Sequence, residues 1–193
     1  MEDLSLHLLD IIENATAAGA TLVEIGVFQD SNENELSIKV RDNGRGMERD
    51  MLAKVRDPFT TTRTTRRVGL GIPLLEQACH EAQGHLDILS EPGLGTEVTA
   101  VFRVNHIDCK PLADIGLTLV TLIAGNSDID FRYESNIDGE KIIVDTREIK
   151  TELDGVDIAD PEVLALIRNL FQKRRVNSSR HTAGGRINGE IED

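Results

Sequence analysis

Between Asp42 and Ile72 the chain reads DNGRGMERDMLAKVRDPFTTTRTTRRVGLGI, and this stretch gathers most of the residues that could handle an anion. Two glycine groups, Gly44 with Gly46 and Gly69 with Gly71, frame a segment that carries Arg63, Arg66 and Arg67. Glycine lets backbone amides approach a bound group closely, and the start of a helix favours negative charge. The chemistry such a stretch suits is capture of a nucleotide, its phosphates lying beneath the Thr/Arg-rich loop from Thr60 to Arg67.

These residues need elements to position them. Leu4 to Ala18 has helical periodicity, with Leu4, Leu8, Ile11, Ile12 and Ala15 on one face. Beside that seam His7, Asp10, Asn14 and Ala17 form a second stripe, whose polar groups can point into a cleft. Ala18-Gly19-Ala20 ends the helix. Leu22 to Phe28 and Leu36 to Val40 alternate as a hairpin with one buried side, and the second strand delivers Asp42 to the glycine turn. Glu48 to Val55 reads as a short helix and Gly69 to Gln83 as a longer one, closed by Gly84. His85 to Ser90 and Glu97 to Val104 are strands about the turn EPGLG. Helix, hairpin, helix and hairpin predict an α/β (α+β) two-layer sandwich over residues 1–104, with the helices on one face of a mixed sheet.

Beyond it, residues 105–173 predict a small α+β unit. Leu112 to Ala124 is an apolar helix, and Phe131 to Glu134 and Lys141 to Asp145 flank the turn Asn136-Ile137-Asp138-Gly139. A helix then spans Pro161 to Gln172, with proline at its start. DTREIK reads as a capping and ion-pair cluster of Asp145, Arg147 and Glu148. Residues 174–193 show no periodicity and are expected to be disordered.

Composition narrows the field. The 193 residues carry a net charge of −13, which argues against a general nucleic-acid or membrane surface. There is no Trp and one Tyr, so base stacking on aromatic platforms is not the expected binding mode. Cys79 and Cys109 are isolated and suggest neither a metal cage nor a disulfide framework. The acidic, amphipathic start is unlike a signal peptide, and the apolar run Ile115 to Ala124 is too short to span a bilayer. A cytoplasmic location is the expectation.

Four boxes now carry a resemblance. LHLLDIIENATAAGAT, DNGRGM, DPFTTTR followed by VGLGI, and EPGLGTEVTAVF occur in this order. They resemble the asparagine box, first glycine box, phenylalanine box with lid and second glycine box, and last box of the GHKL superfamily. That superfamily comprises DNA gyrase, the ninety-kilodalton heat-shock chaperone, sensor histidine kinases and the mismatch-repair ATPase. The lid and glycine boxes are most similar to the histidine-kinase catalytic domain. The resemblance implies the Bergerat fold and binding of ATP with Mg²⁺.

It also implies roles. Asn14 falls where the family holds Mg²⁺, and an amide oxygen is a hard neutral ligand suited to that ion. Asp10, one turn earlier, falls where family ATPases carry a glutamate as general base. Asp42 resembles the buried aspartate that accepts from the adenine amino group, a pairing that guanine would leave unmade. Gly44, Gly46 and Met47 of the first glycine box, and Val68, Gly69, Leu70 and Gly71 of the second, would line the nucleotide. Arg63 corresponds to the lid's basic residue, and Thr96 to a threonine near the adenine. Phe59 is read as a packing anchor for the lid, and His7 and His85 as structural.

The reaction stays open between two readings. A histidine-kinase-like ATPase or protein kinase would phosphorylate a partner or hydrolyse ATP. It would not autophosphorylate, because the ATP-domain boxes begin at the first residues and a phospho-accepting His domain has no room before them. Alternatively, ATP gates a non-catalytic binding or regulatory switch. Residues 105–173 would meet a protein partner, and a homodimer is one possibility.

Overall fold

The computed structural model describes residues 3–57, 71–112 and 114–181, with side chains as far as Phe171. Asp3 accepts a hydrogen bond from the Ser5 amide at 2.8 Å, capping helix α1 (Leu4–Ala17). Two antiparallel strands follow, β1 (Leu22–Asp30) and β2 (Glu35–Asp42), then the short helix α2 (Arg49–Leu52). Helix α3 (Gly71–Glu81) leads into the hairpin β3 (His85–Glu91) and β4 (Gly95–Arg103). The remainder forms α4 (Ile115–Gly125), β5 (Asp130–Ile137), β6 (Glu140–Asp145), α5 (Thr146–Glu152) and α6 (Pro161–His181).

The strands make one six-stranded sheet in the order β3-β4-β2-β1-β5-β6. Among the described residues only β1 and β5 run parallel; the other neighbours are antiparallel. Successive side chains alternate between faces, and β1, β2 and β5 bury every second residue over most of their length. Val23, Ile25 and Val27 of β1 stand opposite Asp42, Val40 and Ile38 of β2 and opposite Phe131, Tyr133 and Ser135 of β5. All nine are buried, whereas the opposite face of the sheet is open. The buried residues of α1, α3, α4 and α6 join that inner face in one apolar core. The expected layer of helices on one face of a mixed sheet is therefore present.

The boundary expected at residue 104 marks no break in the sheet or in the core. β5 pairs with β1 along its length, and the Tyr133 and Phe171 rings meet edge to face with centroids 5.4 Å apart. The β5–β6 turn is tighter than the segment named from sequence. Asp138 (φ 50°) and Gly139 (φ 94°) form a two-residue loop with both φ positive, a geometry whose twist matches paired strands. At the other end, α6 runs on to His181, past the helix end expected at Gln172. The physical reason is that no Gly or Pro interrupts the chain between Gln172 and His181; the residues beyond lie outside the described ones.

Phe131 is fully buried on the strand that joins the two halves. Phe131→Ala is expected to cost about 3–5 kcal/mol of unfolding free energy, and the loss should appear in a single transition. Denaturant unfolding followed by circular dichroism and by Tyr133 fluorescence checks both points. Two separated transitions would show that the halves fold independently.

Candidate functional site

The alternation that buries Leu36, Ile38 and Val40 also turns Asp42, the last residue of β2, toward the interior. It is 9% exposed, so an ionisable group sits where the pattern calls for an apolar one. Its Oδ1 accepts from the Gly44 amide at 2.8 Å, and the backbone amide of Thr96 also donates to the carboxylate. Burial pushes the carboxyl above its ordinary value of 3.8, while the two amide bonds pull the other way. The β3–β4 turn closes over this point. Gly95 has φ 102°, and a Cβ there would strike the Asp42 carbonyl oxygen.

The loop after Asp42 is held on both sides. Asn43 Oδ1 accepts from the Thr21 and Leu22 amides, each at 2.9 Å, and Asn43 Nδ2 donates to Thr21 Oγ1. The Arg45 amide donates to the Ala18 carbonyl at the end of α1, and Gly44 lies against the Ala18 Cβ. Gly46, with φ 64°, passes so close to Glu91 that a Cβ would overlap its carbonyl oxygen. The Met47 amide donates to Ser90 Oγ at 2.9 Å, and Ser90 Oγ is also 2.9 Å from Thr96 Oγ1. Asn43 and Ser90 thus brace the site, and the sequence reading singled out neither. Asparagine before glycine carries a turn signal that could have marked Asn43. Ser90 carries none, since its role depends on a loop far away in sequence.

Helix α1 supplies the facing element. Along its second stripe His7 is buried, Asp10 is partly buried, and Asn14 and Ala17 are exposed. Gly71, the first residue of α3, packs on Asp10: a Cβ there would lie 3.0 Å from the Asp10 Cβ and 3.4 Å from Oδ2. The structure therefore brings together Asp42, Gly44 and Thr96 as one group and Asp10 with Gly71 as another. Ala18 links α1 to the glycine loop. Asn14 lies one turn beyond Asp10 toward that link. Phe59, Arg63, Val68, Gly69 and Leu70 lie outside the described residues. His85 is exposed and sits 3.4 Å from Asp87, which suits a surface role.

A two-layer sandwich with a buried carboxylate at a strand end, beneath paired glycine turns, is the architecture of a nucleotide-dependent ATPase domain. A family model described as "Histidine kinase-, DNA gyrase B-, and HSP90-like ATPase" matches residues 2–106. That is more than half of the 193 residues, and the chain belongs to this family. The signal transduction histidine-protein kinase AtoS of Escherichia coli is 32% identical over 108 residues, a match covering 54% of this chain and 17% of that protein. The sensor protein kinase FleS of Pseudomonas aeruginosa is 34% identical over 108 residues, covering 56% of this chain and 26% of that protein. The chain thus spans a minor part of the length of these relatives. Among solved structures, the N-terminal domain of a DNA repair protein superposes with a TM-score of 0.51 over 75% of this chain and 52% of that one. At 16% identity this is a likeness of fold.

Asp42 also sets a pH dependence. Its folded-state pKa is raised, so the ionised form is the disfavoured one; the cost is absent in acid and grows as pH rises through 3.8 toward the folded-state value. Asp42→Asn keeps an acceptor oxygen and removes the charge. The stability of the parent relative to this variant is expected to fall as pH rises through that window. Thermal melts from pH 3 upward check it, and a pH-independent difference would mean that burial does not govern the group.

Proposed function

We propose that this chain binds ATP with Mg²⁺ and uses it to phosphorylate a partner protein or to hydrolyse ATP. The observation that carries the reading is the buried Asp42 carboxylate, braced by the Gly44 and Thr96 amides. Such a group can accept from an exocyclic amine but leaves a guanine carbonyl without a donor, so it selects adenine. Met47 and Thr96 would flank the base, with Gly44 and Gly46 giving the backbone its close approach. Gly71 and the segment before it, with Val68, Gly69, Leu70 and Arg63, would present amides and positive charge to the phosphates.

Asp10 and Asn14 are oxygen donors one turn apart on α1, and Gly71 packs against the first of them. This hard, sparse donor set fits Mg²⁺, which favours oxygen and keeps several waters; Asn14 would hold the ion. Bound there, Mg²⁺ would supply positive charge that offsets the phosphates. Asp10 would then take the proton of an attacking water or hydroxyl as general base. The partner would be met through residues 105–173, in a setting of signal transduction like that of the kinases named above.

One observation favours a second reading, in which ATP orders a switch with little turnover. Asp10 is one methylene shorter than glutamate and Ala17 adds no polar group, so the α1 wall has limited reach.

Calorimetry with Mg·ATP should show binding, with ATP held more tightly than GTP. Asp42→Ala, which leaves the adenine amine without its acceptor, should weaken ATP by about 1–3 kcal/mol, and Asn14→Ala should weaken its Mg²⁺-dependent part. Asp10→Asn should preserve ATP affinity while lowering phosphate release or transfer by about 10²–10⁴-fold. Binding without any turnover in the parent chain leaves the switch; no binding at all removes both readings.

A further inference from the structure

The inner face of the sheet ends, beside the glycine loop, in a row of polar side chains. Ser90 of β3 stands opposite Thr96 of β4. One step beyond the Arg41–Glu97 pair, the register of β2 on β4 sets Thr96 beside Asp42. Leu86, Ile88, Val98, Ala100 and Val40 are buried on this face, and alternation puts Ser90, Thr96 and Asp42 on it too. The three are neighbours across adjacent strands, with Thr96 in the middle.

The hydrogen bonds at Ser90 decide where its proton goes. The Met47 amide donates to Ser90 Oγ at 2.9 Å. The Gly95 carbonyl, 3.1 Å away, can only accept, so Ser90 donates its single proton there. Thr96 Oγ1 lies 2.9 Å from the same oxygen. With the Ser90 proton engaged, the Thr96 hydroxyl is the donor in that contact. Ser90 Oγ then takes two protons and gives one, which is its full capacity. Thr96 Oγ1 is left with lone pairs, next to a carboxylate that also accepts.

We infer that Ser90 sets the hydrogen-bond polarity of the base pocket. By taking the Thr96 hydroxyl proton, it holds Thr96 Oγ1 as an acceptor beside the Asp42 carboxylate. Two neighbouring acceptors suit the two hydrogens of an exocyclic amine and oppose a carbonyl, whose lone pairs would meet theirs. Ser90 is therefore a positioning residue that acts on the base through Thr96. The inference rests on the ATP reading above and names what sharpens its choice of base. Without Ser90 the Thr96 hydroxyl can turn its proton into the pocket and donate to a carbonyl.

ATP and ITP differ at this edge alone, an amine beside a bare ring nitrogen against a carbonyl beside a ring N–H. The ratio of their dissociation constants, from calorimetry with Mg²⁺, reads the polarity of the wall. The parent is expected to hold ATP more tightly. Ser90→Ala should shrink the ITP-to-ATP ratio about tenfold, the size of one hydrogen bond. Thr96→Val, which removes the hydroxyl at similar volume, should shrink it as well. Adding Ser90→Ala to Thr96→Val should then leave the ratio within about twofold, because the proton that Ser90 controls is gone.

A general loosening of the glycine loop, with the Met47 amide left unpaired, would weaken both nucleotides alike. An unchanged ratio in Ser90→Ala therefore overturns the inference while ATP binding stands. So does an effect of Ser90→Ala that persists in full beside Thr96→Val. Melting curves show whether each variant folds; if Ser90→Ala does not, Thr96→Val decides, and an unchanged ratio there overturns the inference. A parent chain that binds neither nucleotide removes the ATP reading and this inference with it.

Discussion

The structure turns on one buried carboxylate at the end of one strand. Asp42 occupies a position that the alternation of β2 reserves for an apolar side chain, and the fold keeps it there by aiming two backbone amides at it. A carboxylate in the interior is stable only when such donors are supplied, and the donors come from different places. Gly44 is two residues on, whereas Thr96 lies on β4, beyond α3 and β3. Placing Thr96 requires the β3–β4 turn to close on the Asp42 carbonyl, which the side chain of any residue but glycine at position 95 would prevent. The glycine turns are thus consequences of keeping that carboxylate both buried and satisfied.

From this point the site spreads along backbone contacts. Asn43 fastens the end of β2 to the start of β1 through the Thr21 and Leu22 amides. The Thr21 carbonyl in turn accepts from the amide of Asp130, where β5 begins. The second half of the chain is therefore joined to the residues that hold the glycine loop. Its strands extend the sheet, and α4 and α6 complete the helical layer. The family match ends at residue 106, but the sheet does not. Support for the nucleotide loop comes in part from elements outside the matched region.

The opposite wall is sparse. On α1, Asp10 is the residue that Gly71 presses on, and Asn14 lies exposed one turn further along. In the proposed reading, a site with few side chains and many backbone amides would hold phosphates largely through main-chain geometry. Small shifts at the start of α3 then bear directly on Asp10. This places the catalytic question at the junction of two helices rather than in any cluster of ionisable groups.

Local pattern was enough for much of this. The 3.6-residue period of α1, the alternation of β1 and β2 and the glycine turns are written in neighbouring residues, where side-chain type and backbone preference act together, while Asp42 was singled out by the resemblance of DNGRGM to a family box. The α5 cap, in which Asp145 accepts from the amide and the guanidinium of Arg147, was equally readable from DTREIK. Tertiary structure alone decided that β5 lies parallel on β1, that residues 105 onward share the core, and that Ser90 braces the loop through Met47. These rest on backbone hydrogen bonds between segments distant in the chain, and such bonds are made by groups every residue carries, so no residue type announces them.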